Sequence, residues 1–253
     1  MPPDGLEPAL IEELFRPQAD ELRRLGHAVS LIPESVFRGG DRLRGIPNEA
    51  TVVYRGWMVN PKQYESFVDA VRSGNAVPLT DFETYCLTHH LPNWYPLLSE
   101  FTAETVFVTS AHDLFPALDR LNWEQYFLKD FVKSLKVDGG SIVNSPEDGT
   151  RWLREMLQYQ DELEGGICIR RVEKFVAETE CRYFVVHGIP HAPDDRQIPP
   201  PVTAAASRIA SSFFTVDVAL NSFGVWRIVE LGDGQVSDIV GWTPERFAEI
   251  WPK

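Results

Sequence analysis

Several charged side chains in the second half of the chain interrupt otherwise apolar runs. Lys129 sits inside Tyr126-Phe127-Leu128-Lys129-Asp130-Phe131, and Lys133 and Lys136 follow before the pair Gly139-Gly140. A lysine on a half-buried strand needs an anionic partner, because an unpaired buried charge is costly. A nucleotide phosphate would serve; an exposed strand face with solvated lysines is the other reading the spacing allows. Glu180 and Arg182 stand two residues apart in the next apolar run, which puts both on one face of a strand. They read either as a cross-strand ion pair, worth about 0.2–1 kcal/mol, or as a phosphate-binding arginine oriented by a carboxylate. Asp217 and Glu230 are each flanked by apolar residues, and a hairpin over Asn221-Ser222-Phe223-Gly224 can bring them together. Inward carboxylates without histidine or thiolate partners suit a hard octahedral ion, Mg²⁺ or Mn²⁺, shared with phosphate oxygens. Acids that merely cap turns are the alternative.

Other candidates carry less. Arg55 directly follows the apolar run Thr51 to Tyr54, where an open α/β sheet presents ligand-contacting loops; it reads as a partner for a substrate carboxylate or as an interdomain ion pair. His89-His90 precedes Trp94, Tyr95 and two prolines, which favours an aromatic packing connector over a metal or base. The sequence contains neither Gly-x-Ser-x-Gly nor Gly-x-x-x-x-Gly-Lys-Ser/Thr, which argues against a serine-hydrolase elbow and a P-loop.

The elements that must position these residues change character along the chain. Ile11 to Leu25 has helical spacing with Pro17 expected to break it, Ala28 to Ile32 reads as a buried strand, and Thr51 to Tyr54 as another. A helix from Pro61 and a short strand at Ala76 to Leu79 complete a βαβ rhythm, expected of a small parallel sheet. Asp81 to Glu100 reads as a helix followed by a connector. From Gln125 the pattern is longer, antiparallel strands: Gln125 to Phe131, Ile167 to Phe175, Arg182 to His187, and a hairpin of Phe213 to Leu220 with Val225 to Leu231. A helix capped at Asn144-Ser145-Pro146-Glu147 runs to about Leu163, and Thr243-Pro244 starts a terminal one. These shifts divide the chain into residues 1–110 and 111–253.

Composition narrows the function classes. The 253 residues carry 24 Lys plus Arg against 37 Asp plus Glu, a net charge of −13. Such a balance argues against a general nucleic-acid binder and against attachment to an anionic membrane surface, while a small phosphate ligand needs only a local cation cluster. Leu118 to Lys136 supplies one, with Arg120, Lys129, Lys133 and Lys136, and Phe213 to Lys253 is acidic. Cys86, Cys168 and Cys181 form no disulfide or metal pattern. With neither a signal-peptide pattern nor a long apolar span, the expected location is the cytoplasm, and a symmetric dimer is the default oligomer.

The order of these features resembles the ATP-grasp fold: lysines on a strand, a glycine-bearing turn, the Glu173-Lys174-Phe175-Val176 hinge, Glu180-x-Arg182, and Asp217…Glu230 on a terminal hairpin. The strings Phe127-Leu128-Lys129-Asp130-Phe131-Val132-Lys133-Ser134-Leu135-Lys136 and Glu230-Leu231-Gly232-Asp233-Gly234-Gln235 resemble, more narrowly, the clade marked by one arginine and two lysines. The likeness covers Gln125 to the end, and the first part resembles a pre-ATP-grasp α/β domain in outline. The resemblance implies two α+β lobes clasping ATP. Lys129 and Lys133 would meet its phosphates, Glu173, Lys174, Phe175 and Val176 would hold adenine largely through backbone groups, Glu180 would lie near the ribose, and Arg182 would reach the γ-phosphate. Asp217 and Glu230 would hold Mg²⁺. The sequence departs from the family's Glu-x-Asn at Gly232, and Asp233 is the expected substitute ligand. The activity implied is ATP-dependent carboxylate–amine ligation of small-molecule or peptide substrates through an acylphosphate. A kinase transferring phosphate to a hydroxyl, and a non-catalytic nucleotide-binding module with an altered metal site, are the alternatives.

Overall fold

The computed structural model describes residues 11–40, 43, 45–132, 140–159 and 163–252. In the first part, helix α1 (Arg16–Arg24) takes Pro17 into its first turn instead of breaking there, since proline needs no N–H bond at that position. Ala28 to Ile32 is not a strand; Ala28, Ser30 and Leu31 are exposed, so this run has no packed face to hold it in a sheet. Strands β1 (Thr51–Val52) and β2 (Val77–Pro78) pair in parallel as a minimal two-stranded sheet. Between them lies α2 (Pro61–Ser73), started by an Asn60–Gln63 capping box and burying Tyr64, Phe67, Val68 and Val71 on one stripe. The expected connector after α3 (Phe82–His89) is a second helix, α4 (Leu91–Leu98). Pro92 falls in its first turn, and only Pro96 costs it an internal hydrogen bond.

Strands β3 (Thr105–Val108), β4 (Tyr126–Asp130), β5 (Ile142–Val143) and β6 (Ile167–Arg171) form an antiparallel sheet in the order β3-β6-β4-β5. β3 precedes residue 110, where composition puts the boundary, yet is hydrogen-bonded to β6, so this sheet begins on the near side of it. Helices α5 (Leu114–Leu121) and α6 (Pro146–Tyr159) cover one face, packing Leu118, Trp152 and Met156 on Tyr126, Leu128, Ile167 and Ile169. The opposite face carries Lys129, which lies across from Cys168 in register.

The second sheet is also antiparallel, in the order β10-β9-β7-β8, from β7 (Cys181–Val186), β8 (Ile189–His191), β9 (Phe213–Leu220) and β10 (Trp226–Asp233). One face packs Tyr183, Val185, Phe214, Val216, Val218, Ile228 and Leu231 against α4 and α7 (Pro200–Arg208). The other face is apolar at one end only, where Phe184, Val186 and Phe213 meet Trp242, Phe247 and Ile250 around the terminal helix α8 (Pro244–Glu249). Its middle is left polar. A bulge in β10 decides what points there: Ile228 pairs with Val218, but Glu230 pairs with Asp217, leaving Val229 as the extra residue. In a regular strand Ile228 and Glu230 would share a face; the bulge keeps Ile228 in the core and turns Glu230 to the polar side.

Candidate active site

Three adjacent strands place Arg182, Asp217 and Glu230 in a row. Arg182 lies opposite Asp217 across β7 and β9, and Asp217 lies opposite Glu230 across β9 and β10. Arg182 grips Asp217 with a fork, Nε to Oδ1 at 2.8 Å and NH2 to Oδ2 at 2.6 Å, and donates its remaining nitrogen to the Asp238 carbonyl at 2.8 Å. From the first sheet, the buried Lys129 donates to Glu230 Oε1 at 2.7 Å and to the Val132 carbonyl at 3.0 Å. The residues expected to meet phosphates and those expected to hold a metal thus converge between the two sheets, each cation already on an anion.

The electrostatics favour an added cation. Burial, reinforced by neighbouring Glu230, pushes the Asp217 carboxyl up despite the Arg182 fork. Burial also opposes ionisation of Glu230, but Lys129, with Arg182 and Arg170 behind it, outweighs that and holds Glu230 below the ordinary carboxylate value. Burial and Asp217 raise Glu180, on the same face as Arg182. Hard oxygen donors crowded closely enough to resist ionisation suit a divalent ion such as Mg²⁺, and Asp217 and Glu230 are the side chains that would hold it.

The hinge is arranged differently from expectation. Glu173 is taken by Arg227, whose Nε and NH2 reach its carboxylate at 3.0 and 2.8 Å. The Val176 N–H donates to the Leu220 carbonyl at 2.9 Å and the Lys174 carbonyl accepts from Ser222 N at 2.8 Å, so part of the backbone expected to meet adenine is occupied by the β9–β10 turn. Phe175 and Val176 instead leave their side chains exposed, together with Lys174. Phe175 bridges Asn221, four residues along β9 from Asp217, roughly 13 Å at strand rise; an extended nucleotide could run along this face.

Two expected residues do not join the site. Asp233 lies on the opposite face of β10 from Glu230, because an odd number of strand steps separates them. It is fully buried and accepts from Thr88 Oγ1 at 3.1 Å and Gln235 N at 3.0 Å. Arg55 donates to the carbonyls of Gly234, Gln235 and Ser237 and to Gln18 Oε1, and lies 4.7 Å over the Phe247 ring. Burial pushes its pKa down to about 10. It fastens the first part of the chain to the segment after β10 rather than facing a substrate. Lys133 and Lys136 lie outside the described residues.

Three residues of the site do not stand out in the sequence. Arg170 is buried on the same face of the first sheet as Lys129, donating to the Val229 carbonyl at 2.9 Å and Thr102 Oγ1 at 2.8 Å; its place two residues after the strand partner of Lys129 is the available signal. Thr215 and Ser237 flank Gly232, their hydroxyls 2.9 Å apart. A Cβ on Gly232 would come within 3.3 Å of both oxygens, so these hydroxyls occupy the space beside the position of the family's asparagine.

This architecture, two antiparallel sheets with helices outside and a cation–carboxylate cluster between, is that of an ATP-grasp protein. Residues 98–250 match the ATP-grasp domain of family 3 in the clade marked by one arginine and two lysines, and the chain belongs to that family. The fold is similar to the D-cycloserine synthetase DcsG (14% identity, TM-score 0.63, covering 92% of each chain). It is also similar to a RimK domain ATP-grasp protein from Sphaerobacter thermophilus (12% identity, TM-score 0.59, covering 96% of this chain and 97% of that one). The ATP-grasp ligase PsnB, in complex with a precursor variant, Mg and ADP, matches at 10% identity and TM-score 0.59 over 92% of this chain and 88% of its own. No curated protein sequence matches the chain. Among the described residues no helix is long and apolar enough to cross a membrane.

Proposed function

We propose that this chain is an ATP-dependent carboxylate–amine ligase acting on small-molecule or peptide substrates. The observation that carries the reading is the facing of Lys129–Glu230 and Arg182–Asp217 between the two sheets. Binding of ATP with Mg²⁺ would exchange partners: phosphate oxygens take Lys129 and Arg182, and the freed Asp217 and Glu230 hold the ion. Mg²⁺, when bound, would neutralise charge on the phosphates. Arg182 and Lys129 then stabilise the transferring γ-phosphoryl group as a substrate carboxylate oxygen bonds to phosphorus and the bond to ADP breaks. An amine attacks the acyl carbon of the resulting acylphosphate, phosphate leaves, and the amine gives up a proton. Positioning and charge neutralisation suffice; no protein nucleophile is required. The solved ligases of similar fold support the reaction class.

Partner exchange predicts synergy. ATP alone must strip Lys129 and Arg182 from their carboxylates, and Mg²⁺ alone must strip the carboxylates from their cations. Thermal melts should therefore show a larger stabilisation by millimolar ATP plus Mg²⁺ than the sum of the separate shifts, since a ligand selective for the folded state stabilises it. Absence of any shift with the two together counts against the assignment. With ATP, Mg²⁺ and pools of carboxylates and amines, ADP and phosphate release should require both substrate classes. Phosphate retained on an alcohol would instead identify a kinase. Protection without turnover would favour the nucleotide-binding module, the reading that the glycine at position 232 supports.

A further inference from the structure

Away from the nucleotide face, the junction of α3 and α4 brings His89 and His90 against Glu164. The sequence favours a packing connector here, and the rings do pack: His89 stacks on Tyr85 at 4.6 Å, and Tyr85 on Tyr64 at 3.9 Å. Glu164, distant in sequence, changes what the pair can do. Its Oε1 lies 3.3 Å from His89 Nε2 and 3.1 Å from His90 Nε2. All three ligand atoms fall within 4.8 Å of one another, and among the described residues this is the group of His, Cys, Asp or Glu that meets that condition.

Successive residues of a helix point about 100° apart, so neighbouring imidazoles do not ordinarily converge. Here α3 ends at His89, and His90 is extended, with φ −100° and ψ 120°, which brings the rings to a centroid separation of 5.3 Å. Glu164 is fixed as firmly. Its carbonyl accepts from Phe131 N at 3.3 Å, while the Phe131 carbonyl accepts from Leu91 N at 2.9 Å. Gly165, at φ +79°, and Gly166 follow, with the Phe131 ring so close that a Cβ on either would collide with it. Three separate segments are therefore locked around one point.

His89 is 4% exposed, and its Nε2 is buried with no hydrogen-bond partner. A buried polar nitrogen left unsatisfied costs about 1–3 kcal/mol, and this one is aimed at a carboxylate oxygen that His90 already engages. Ligands about 2.0–2.1 Å from a tetrahedral ion sit roughly 3.3 Å from each other; the two N···O distances have that spacing. We infer that His89, His90 and Glu164 form a binding site for a borderline divalent transition ion, Zn²⁺ foremost, independent of the nucleotide site. Imidazole nitrogen with one carboxylate suits Zn²⁺ and Co²⁺ over Mg²⁺, and His90 and Glu164 remain partly exposed, leaving a side open to a water ligand. The ion would tie the α3–α4 junction to the turn entering β6.

The test uses the full, tag-free chain stripped with a chelator and titrated with Co²⁺, then Zn²⁺. One Co²⁺ per chain should bind with the intense visible absorption of a low-coordinate site, and Zn²⁺ should displace it. His90→Ala and Glu164→Gln should each weaken Co²⁺ binding more than about 100-fold, beyond the usual effect of losing an outer-shell partner. Glu230→Gln should leave it intact. No Co²⁺ binding, binding indifferent to both cluster variants, or binding lost in Glu230→Gln would each overturn the inference. Circular dichroism of the two cluster variants guards against loss of fold, since both positions are partly exposed.

Discussion

Lys129→Met should lower ATP-dependent phosphate release by about 100- to 1,000-fold, the usual cost of removing one preorganised charge from a site where negative charge must be stabilised. Lys129 is buried and spends its ammonium on Glu230 and one backbone carbonyl. Methionine fills the same channel without the charge. Its partner is the more exposed member of the pair, with 42% of its side chain accessible, so Glu230 stays solvated when the lysine goes. The folding cost should be near 1 kcal/mol, as for a solvent-screened pair. The variant should therefore remain folded by circular dichroism, lose the ATP·Mg²⁺ thermal shift and lose turnover together. Turnover within twofold of the wild type would mean that the phosphates bind elsewhere.

The same logic separates the two pairs. Arg182 and Asp217 have 17% and 11% of their side chains exposed, so removing one leaves the other largely cut off from water. Asp217→Ala should destabilise the fold by about 3–5 kcal/mol, the range for breaking a buried pair from one side, as read by urea unfolding. A loss below about 1 kcal/mol would show that water reaches Arg182 readily. One pair is thus built to be exchanged cheaply and the other also holds β7 to β9.

How much of this was legible in the sequence depends on which physical signal each part uses. Lys129, Arg182, Asp217 and Glu230 were visible because a charge inside an apolar run needs a reason, and alternation places Glu180 with Arg182. The bulge at Val229 was not visible: strict alternation would put Glu230 on the same side as Ile228, and only the observed register separates them. Asp233 misled because it follows a motif position in sequence while the strand turns it to the other face. Arg55 misled because an arginine after a strand looks the same whether it meets a carboxylate or a row of carbonyls. The strand expected at Ala28 to Ile32 failed for want of a neighbour, which no local pattern reports. Glu164 could not be linked to His89 and His90 because their meeting depends on the Phe131 backbone joining two distant segments.

Asp233→Asn should stabilise the protein at pH 8 and flatten its stability between pH 4 and pH 7. Asp233 is fully buried, and burial pushes its pKa up from 3.8 to about 7, against the opposing pull of its hydrogen bonds from Gln235 and Thr88. A carboxyl whose folded value is raised contributes fully below its unfolded value, about 3.9. Above that point the unfolded chain ionises while the native one does not. Stability is then lost steadily until about pH 7, where the native carboxyl ionises too and the loss levels off. A shift of this size corresponds to about 4 kcal/mol. Asparagine can keep the contacts: its oxygen can accept from Gln235 N and Nε2, and its amide can donate to Thr88 Oγ1, whose own hydroxyl has the Thr84 and Tyr85 carbonyls within 3.2 and 3.3 Å. Urea unfolding of both proteins should give nearly equal stabilities at pH 4 and a gap that widens to about pH 7, in favour of Asp233→Asn. A gap that does not change with pH would show that Asp233 is ionised throughout. Because Asp233 faces α3 and not Glu230, the variant should also keep its ATP·Mg²⁺ thermal shift; loss of that shift in a folded variant would return Asp233 to the metal site. The Gly232-Asp233-Gly234-Gln235 string then acts as a latch, with Gln235 accepting from Tyr54 N and donating to Tyr64 Oη. It holds the first part of the chain against the strand whose other face carries Glu230.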